Sequence, residues 1–362
     1  MSRQVVETMK LIFDALKAHV SIDDSCRIAS VKRHIKPIGD SEPVCEFVKG
    51  AKVKSFSYNG LLLCLYEFGE NRYLLLPEKN ISAVCSIGFE IEEDIAIIQG
   101  AGMLAMALEK WPILDGISSL EVVNCCLGVD IQDIEFEFSM ISKLFTPYSV
   151  IKLDDSRLEL SYEEDVGRLC CYILAEDELK MSEKTKNNLQ DLSLLRSSRS
   201  IAASILSGFW SPLVEYTFLQ LYQCLEYLYR LNNCFIISEE HNITLEAAID
   251  IVTLHEFKIS EEDNLYQVIR RYAAETVVDS FVERLSLYGE ENNDKNRKVS
   301  HYIYKLRCNI AHLRYNQDNV LKYVNWDICV EELTAIIYSI YQKIDTKVCS
   351  VCESKGVWTS LK

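Results

Sequence analysis

The chain has 362 residues, 49% of them hydrophobic, and its 54 acidic side chains outnumber 38 basic ones for a formal charge of -16. Length and apolar content suit two ordinary domains with real cores. The acidity excludes a general nucleic-acid coat protein, because phosphate neutralisation supplies most non-specific affinity.

In chain order, Val5, Val6, Met9, Ile12, Phe13 and Leu16 recur at helical spacing and predict an amphipathic first helix. Strand signals follow. Tyr58 to Phe68 and Tyr73 to Leu76 flank Gly69-Glu70-Asn71, which reads as a hairpin with a short turn. Asp94 to Gln99 reads as a strand running into Gly100-x-Gly102-x-x-Ala105, the order of a dinucleotide-binding turn. Such a unit needs an acidic residue at the end of its next strand, but Leu120 to Val123 ends in Asn124 and Cys125, and Pro112 cuts the helix short. Close packing of a small-residue helix is therefore the favoured reading, and no cofactor is expected. Further strand-like pieces are Ile134 to Phe138, Val150 to Leu153 and Arg157 to Tyr162, so the fold class is α+β, with a mixed N-terminal domain over residues 1–175.

Residues 176–200 turn polar and read as a linker between domains. Beyond it the pattern is helical: Ile201 to Leu206, Pro212 to Leu231, Leu245 to Leu254, Asn264 to Leu287, Tyr302 to Leu313 and Trp326 to Ile344. Pro212 suits a first-turn proline, and Gly289 to Lys298 reads as an exposed loop. This makes residues 201–348 an all-α domain and 349–362 a tail. No apolar run approaches the roughly 20 residues that span a bilayer; the longest, Ile95 to Leu108, includes Gln99. Fourteen cysteines without an N-terminal signal segment point to a reducing cytoplasm. The adjacent pairs Cys125-Cys126 and Cys170-Cys171 read as small buried hydrophobes. Cys349-x2-Cys352 has ligand spacing, but no second pair follows to close a zinc site.

The most informative segment is Lys305 to His312, where Arg307 and His312 share one short stretch. A guanidinium that grips phosphate bidentately and an imidazole that moves protons near neutral pH are what metal-independent RNA cleavage needs. Spacing alone proves little, since this composition gives Arg-x4-His by chance in about a quarter of shuffled chains. Arg27 and His34 fit a looser spacing in a stretch with no long helix, and are read as coincidence. Around Arg307, by contrast, Ile303, Leu306, Ile310 and Leu313 form one apolar helical face. Charge also singles the segment out: from Lys295 to Lys322 seven basic residues stand against Asp318 alone. On an ideal helix Arg307 and His312 lie about 140° apart, so convergence on one phosphate needs an irregular helix or two copies facing each other.

The segment resembles the Arg-x4-6-His motif of the HEPN superfamily of small helical bundles, down to the Ile310-Ala311-His312 ending. Phe218 to Tyr229 is similar to an early bundle helix of bacterial HEPN proteins, in which a glutamate such as Glu226 lies near the motif. Cys308 stands where many members carry an asparagine, and Asn309 follows it. The resemblance covers roughly the last 150 residues. It implies a homodimeric, metal-independent endoribonuclease with Arg307 and His312 catalytic, Asn309 and Glu226 auxiliary, and Lys305 and Arg314 holding the RNA strand. HEPN ribonucleases of this kind resemble effectors of bacterial toxin and antiviral systems, in which an attached domain senses a protein or ligand trigger. The competing expectation is a non-catalytic scaffold or antitoxin-like bundle, with Arg307 merely pairing a carboxylate to hold two helices together.

Overall fold

The computed structural model describes residues 36–37, 41–58, 60–108, 111–114, 117–118, 121, 135–136, 142–153, 163–177, 181–254, 260–287, 294–311 and 320–345. The expected first helix, the strand-like pieces at Leu120 to Val123 and Arg157 to Tyr162 except Glu121, Cys125-Cys126 and the Cys349-x2-Cys352 pair lie outside them. The fold is α+β: mostly helical, with one small five-stranded antiparallel sheet in its N-terminal part. Two compact units divide between Glu159 and Leu160.

In the first unit the sheet runs β2 (Lys52–Tyr58), β3 (Leu61–Phe68), β4 (Asn71–Pro77), β7 (Tyr148–Lys152) and β5 (Glu90–Ile91), in that order. A two-residue parallel pair, β1 (Lys36–Pro37) with β6 (Glu135–Phe136), stands apart from it. The β3–β4 hairpin turns at Gly69-Glu70 as its residues demand: Gly69 has a φ of 61°, which costs a side-chain-free residue nothing. Cross-strand pairs Cys64–Leu75 and Tyr66–Tyr73 set the register and put four buried side chains on one face. Two helices pack over that face, α1 (Ser41–Gly50) through Val44, Phe47 and Val48, and α3 (Ile95–Leu108) through Ala101, Met103 and Leu104. Between them in sequence lies the short α2 (Ile81–Ser86).

Ile95 to Gln99 is helix, not strand. The expected nucleotide-turn geometry is therefore absent, and Gly100 and Gly102 sit in the interior of α3. Their small size has a packing reason. A Cβ on Gly100 would come within 2.7 Å of the Phe47 ring, and one on Gly102 within 2.0 Å of the Tyr148 hydroxyl. The glycines let α1 and β7 approach α3 closely, as the close-packing reading expects.

The second unit is helical among its described residues: α4 (Glu163–Asp177), α5 (Glu183–Leu194), α6 (Ala202–Phe209), α7 (Val214–His241), α8 (Leu245–Leu254), α9 (Glu261–Tyr272), α10 (Glu275–Arg284), α11 (Lys295–Ala311) and α12 (Trp326–Asp345). The compact division does not fall in the polar stretch 176–200, most of which folds within this unit. Ser182 caps α5 by accepting the Thr185 N–H, and Leu189 and Leu192 are buried at helical spacing. A single buried stripe anchors a helix whose other faces are polar, which is why its composition reads as a linker.

Helix α7 is 28 residues long and packs against α6, α8, α9, α11 and α12. It outruns its expected end at Leu231 because Asn232 and Asn233, poor helix formers, are carried through the core. It stops at Asn242, whose left-handed φ of 50° lets Ile243 N–H reach back to the Ser238 carbonyl. Helix α12 is buried on every side from Cys329 to Ile337, the pattern of a central helix. The expected helix Asn264 to Leu287 is two, broken at Ala273-Ala274, where both residues are extended and Ala274 N–H donates to Ser339 Oγ at 2.8 Å. The expected loop through Lys298 ends earlier, since Asp294 Oδ1 accepts the Asn296 N–H and starts α11 at Lys295.

Candidate functional site

Helix α11 carries Arg307 on the face that meets α7 and α9. Residues Val299, Ile303 and Leu306 anchor it, and Phe281 of α10 meets Tyr302 edge to face. Burying that stripe fixes the rotation of the helix, and the rotation fixes where Arg307 points.

The Arg307 guanidinium lies 3.5 Å from Glu261 Oε2 of α9 and 3.8 Å from Glu226 Oε1 of α7. It also stacks over the Tyr222 ring, with Cζ 5.6 Å from the centroid. Both carboxylates are at ion-pair distance and too far for good charge-assisted hydrogen bonds. Arg307 keeps 24% of its side chain exposed, Glu226 33% and Glu261 46%. Charge, not a hydrogen-bond lattice, holds this guanidinium, and water reaches it.

Electrostatics follow from that setting. Burial pushes the Glu226 carboxyl up, Arg307 pulls it back, and the nearby Glu261 charge adds to the rise, with a net upward shift. For Arg307, partial burial works against the charged form, but Glu261 ahead of Tyr222 and Glu226 outweighs it and the pKa rises. Tyr222 is pushed up mainly by burial, and its hydroxyl accepts a hydrogen bond from Tyr229 at 3.2 Å. Residues 222, 226 and 229 follow helical spacing on one face of α7, which sets Tyr222 and Glu226 against Arg307 and Tyr229 against Tyr222.

The structure thus brings Arg307 and Glu226 together, and adds Glu261 and Tyr222, which sequence reading missed. A signal for Glu261 exists: Ser260-x-x-Asp263 is a capping pattern that starts a helix with acids in its first turn. Ser260 Oγ does accept the Asp263 N–H at 3.1 Å. Lys305 and Asn309 are each two residues from Arg307, about 160° away around an ideal helix. They share the other side of α11, Lys305 exposed and Asn309 half-buried. His312 and Arg314 lie outside the described residues.

The rest of α11 pairs with α9 in the same manner. Asp263 receives Arg297 Nη1 at 2.8 Å, and Glu262 Oε1 lies 3.0 Å from His301 Nδ1. Arg297 also stacks on Tyr266 at 4.8 Å, and the Tyr266 hydroxyl donates to Asp294 Oδ2 at 2.8 Å. Rising numbers on α9 meet falling numbers on α11, so the two helices run antiparallel.

Among the described residues, no group of three or more His, Cys, Asp or Glu side chains could hold a metal ion. Cys170 and Cys171 are buried, and burial raises both thiols, which suits packing and not reactivity. No described helix is long and apolar enough to cross a membrane. No protein-family model, curated protein or solved structure matches this chain.

Proposed function

We propose that this protein is a metal-independent endoribonuclease of the HEPN type, acting as a homodimer, with Arg307 holding the scissile phosphate and His312 moving the proton. One observation carries the reading. Arg307 is a partly exposed guanidinium, backed by an aromatic ring and steered by two carboxylates that do not lock its N–H donors, so a phosphate can still take them bidentately. It lies near the C-terminal end of α11, five positions before His312.

RNA supplies its own nucleophile. His312 removes the 2′-hydroxyl proton as the O2′–P bond forms and the P–O5′ bond breaks, and the partner subunit's His312 gives a proton to the departing 5′ oxygen. Arg307 stabilises charge on the non-bridging oxygens. The products are a 2′,3′-cyclic phosphate and a free 5′-hydroxyl, and no cofactor or divalent metal takes part. Lys305, on the other side of α11 from Arg307, contacts the strand away from the scissile phosphate, Arg314 helps hold it, and the N-terminal unit reads a protein or ligand trigger, as in a cytoplasmic toxin or antiphage effector.

A second reading has its own observation. Glu226 and Glu261 come from two different helices, so Arg307 also ties α7, α9 and α11 together, and a bundle serving only as scaffold or antitoxin would keep that clamp. The two readings part on chemistry. Total RNA is incubated with the purified chain and its His312→Ala variant in excess chelator. The nuclease reading expects new ends bearing cyclic phosphate with the parent and none with the variant. Cleavage that needs divalent metal, or that survives in the variant, ends it.

A further inference from the structure

Part of the stretch that sequence marks as basic is paired with carboxylates once the chain folds. Lys295 meets Asp279 at 2.6 Å, Arg297 meets Asp263, His301 meets Glu262, and Arg307 meets Glu261. Three consecutive acids in the first turn of α9 thus face three basic side chains on α11. With Glu226 added, four carboxylates stand around the two guanidinium groups of Arg297 and Arg307 and offset their attraction for a phosphodiester.

We propose that the acidic first turn of α9 is a built-in competitor for the RNA backbone at the α11 groups that bind phosphates, and that substrate engages Arg307 more tightly once this turn is displaced. The proposal rests on RNA being the substrate, and it specifies how that same site is regulated. Displacement is cheap. Glu261 and Asp263 are about half exposed, and exposed ion pairs contribute little to stability. The body of α9 stays anchored by Leu265, Val268, Ile269 and Tyr272, all buried. The turn can therefore release its partners without unfolding the helix behind it.

The test measures binding where nothing is cut. In a His312→Ala background, affinity for a single-stranded RNA oligonucleotide is followed by anisotropy against salt, comparing that parent with Glu261→Gln/Glu262→Gln. A control, Glu275→Gln/Glu283→Gln, makes the same change of net charge at two exposed positions of α10. The first pair should bind at least tenfold tighter at low salt, with a log–log salt slope steeper by about 0.7 per cation freed, while the control stays near the parent. Unchanged or weaker binding in the first pair, with circular dichroism showing it folded, overturns the proposal. So does an equal gain in the control. Failure of the nuclease reading shows up separately, as absence of cleavage by the His312-bearing chain, whatever the affinities.

Discussion

Two arginines of the helical unit, Arg168 and Arg307, sit beside carboxylates in very different ways. Arg168 on α4 is 1% exposed. Its Nη1 donates to Asp165 Oδ1 at 2.9 Å, Nε to the Ser193 carbonyl at 3.0 Å and Nη2 to the Leu194 carbonyl at 2.9 Å. Arg199 Nε adds a second cation on the same Asp165 oxygen at 2.8 Å. Each of its three guanidinium nitrogens is committed, two of them to backbone at the end of α5, which fastens α4 to α5. Burial lowers the Arg168 pKa, with Asp165 opposing the shift. Arg307 has the same chemistry, but its two carboxylates lie at 3.5 and 3.8 Å and do not fix its donors in this way. The difference separates an arginine that builds the fold from one that remains available to a ligand.

Breaking the buried site should have the largest effect. Arg168→Met leaves Asp165 with one fewer counter-charge in the interior and frees two carbonyls, so unfolding free energy should drop by about 3–5 kcal/mol, read from denaturant midpoints. A loss below about 1 kcal/mol would mean that burial and full hydrogen bonding do not mark a structural arginine here. At the open site the ledger inverts. Arg307→Ala should cost no more than about 1 kcal/mol of stability while lowering RNA cleavage about a hundred- to a thousand-fold. A variant that unfolds as badly as the Arg168 one, or that cleaves like the parent, would erase the contrast.

The smallest effect concerns pH. Glu226 holds its proton to higher pH in the folded chain than in the unfolded one, so the folded state binds more protons and stability falls as pH rises from the ordinary value of 4.5 through the raised folded value. Glu226→Gln removes that slope. The variant should therefore gain on the parent as pH rises across this window and run parallel to it above, as measured by urea midpoints at a series of pH values. Parallel curves throughout would remove the upward shift from the account.

Much of this architecture is legible in the residues. Gly69-Glu70 between alternating apolar runs marks the hairpin, Leu245 to Leu254 has the bounds of α8, and the apolar spacing around Ile303 and Leu306 makes α11 a helix. Legibility fails where a distant group outweighs local preference. Nothing in Ala273-Ala274, two strong helix formers, signals a break, because the deciding group is the Ser339 hydroxyl, 65 residues away. The helix at Glu183–Leu194 hides in a polar composition because only one narrow stripe is buried.

The candidate site divides along the same line. By itself the sequence determined that a basic helix carries Arg307 just ahead of His312, since periodicity and spacing are properties of neighbouring residues. Only the tertiary structure decided that Glu261 stands closest to that guanidinium and that Tyr222 lies beneath it. Helical repeat fixes angles around one axis, whereas which carboxylate faces which arginine depends on how separate helices bury their apolar faces against one another.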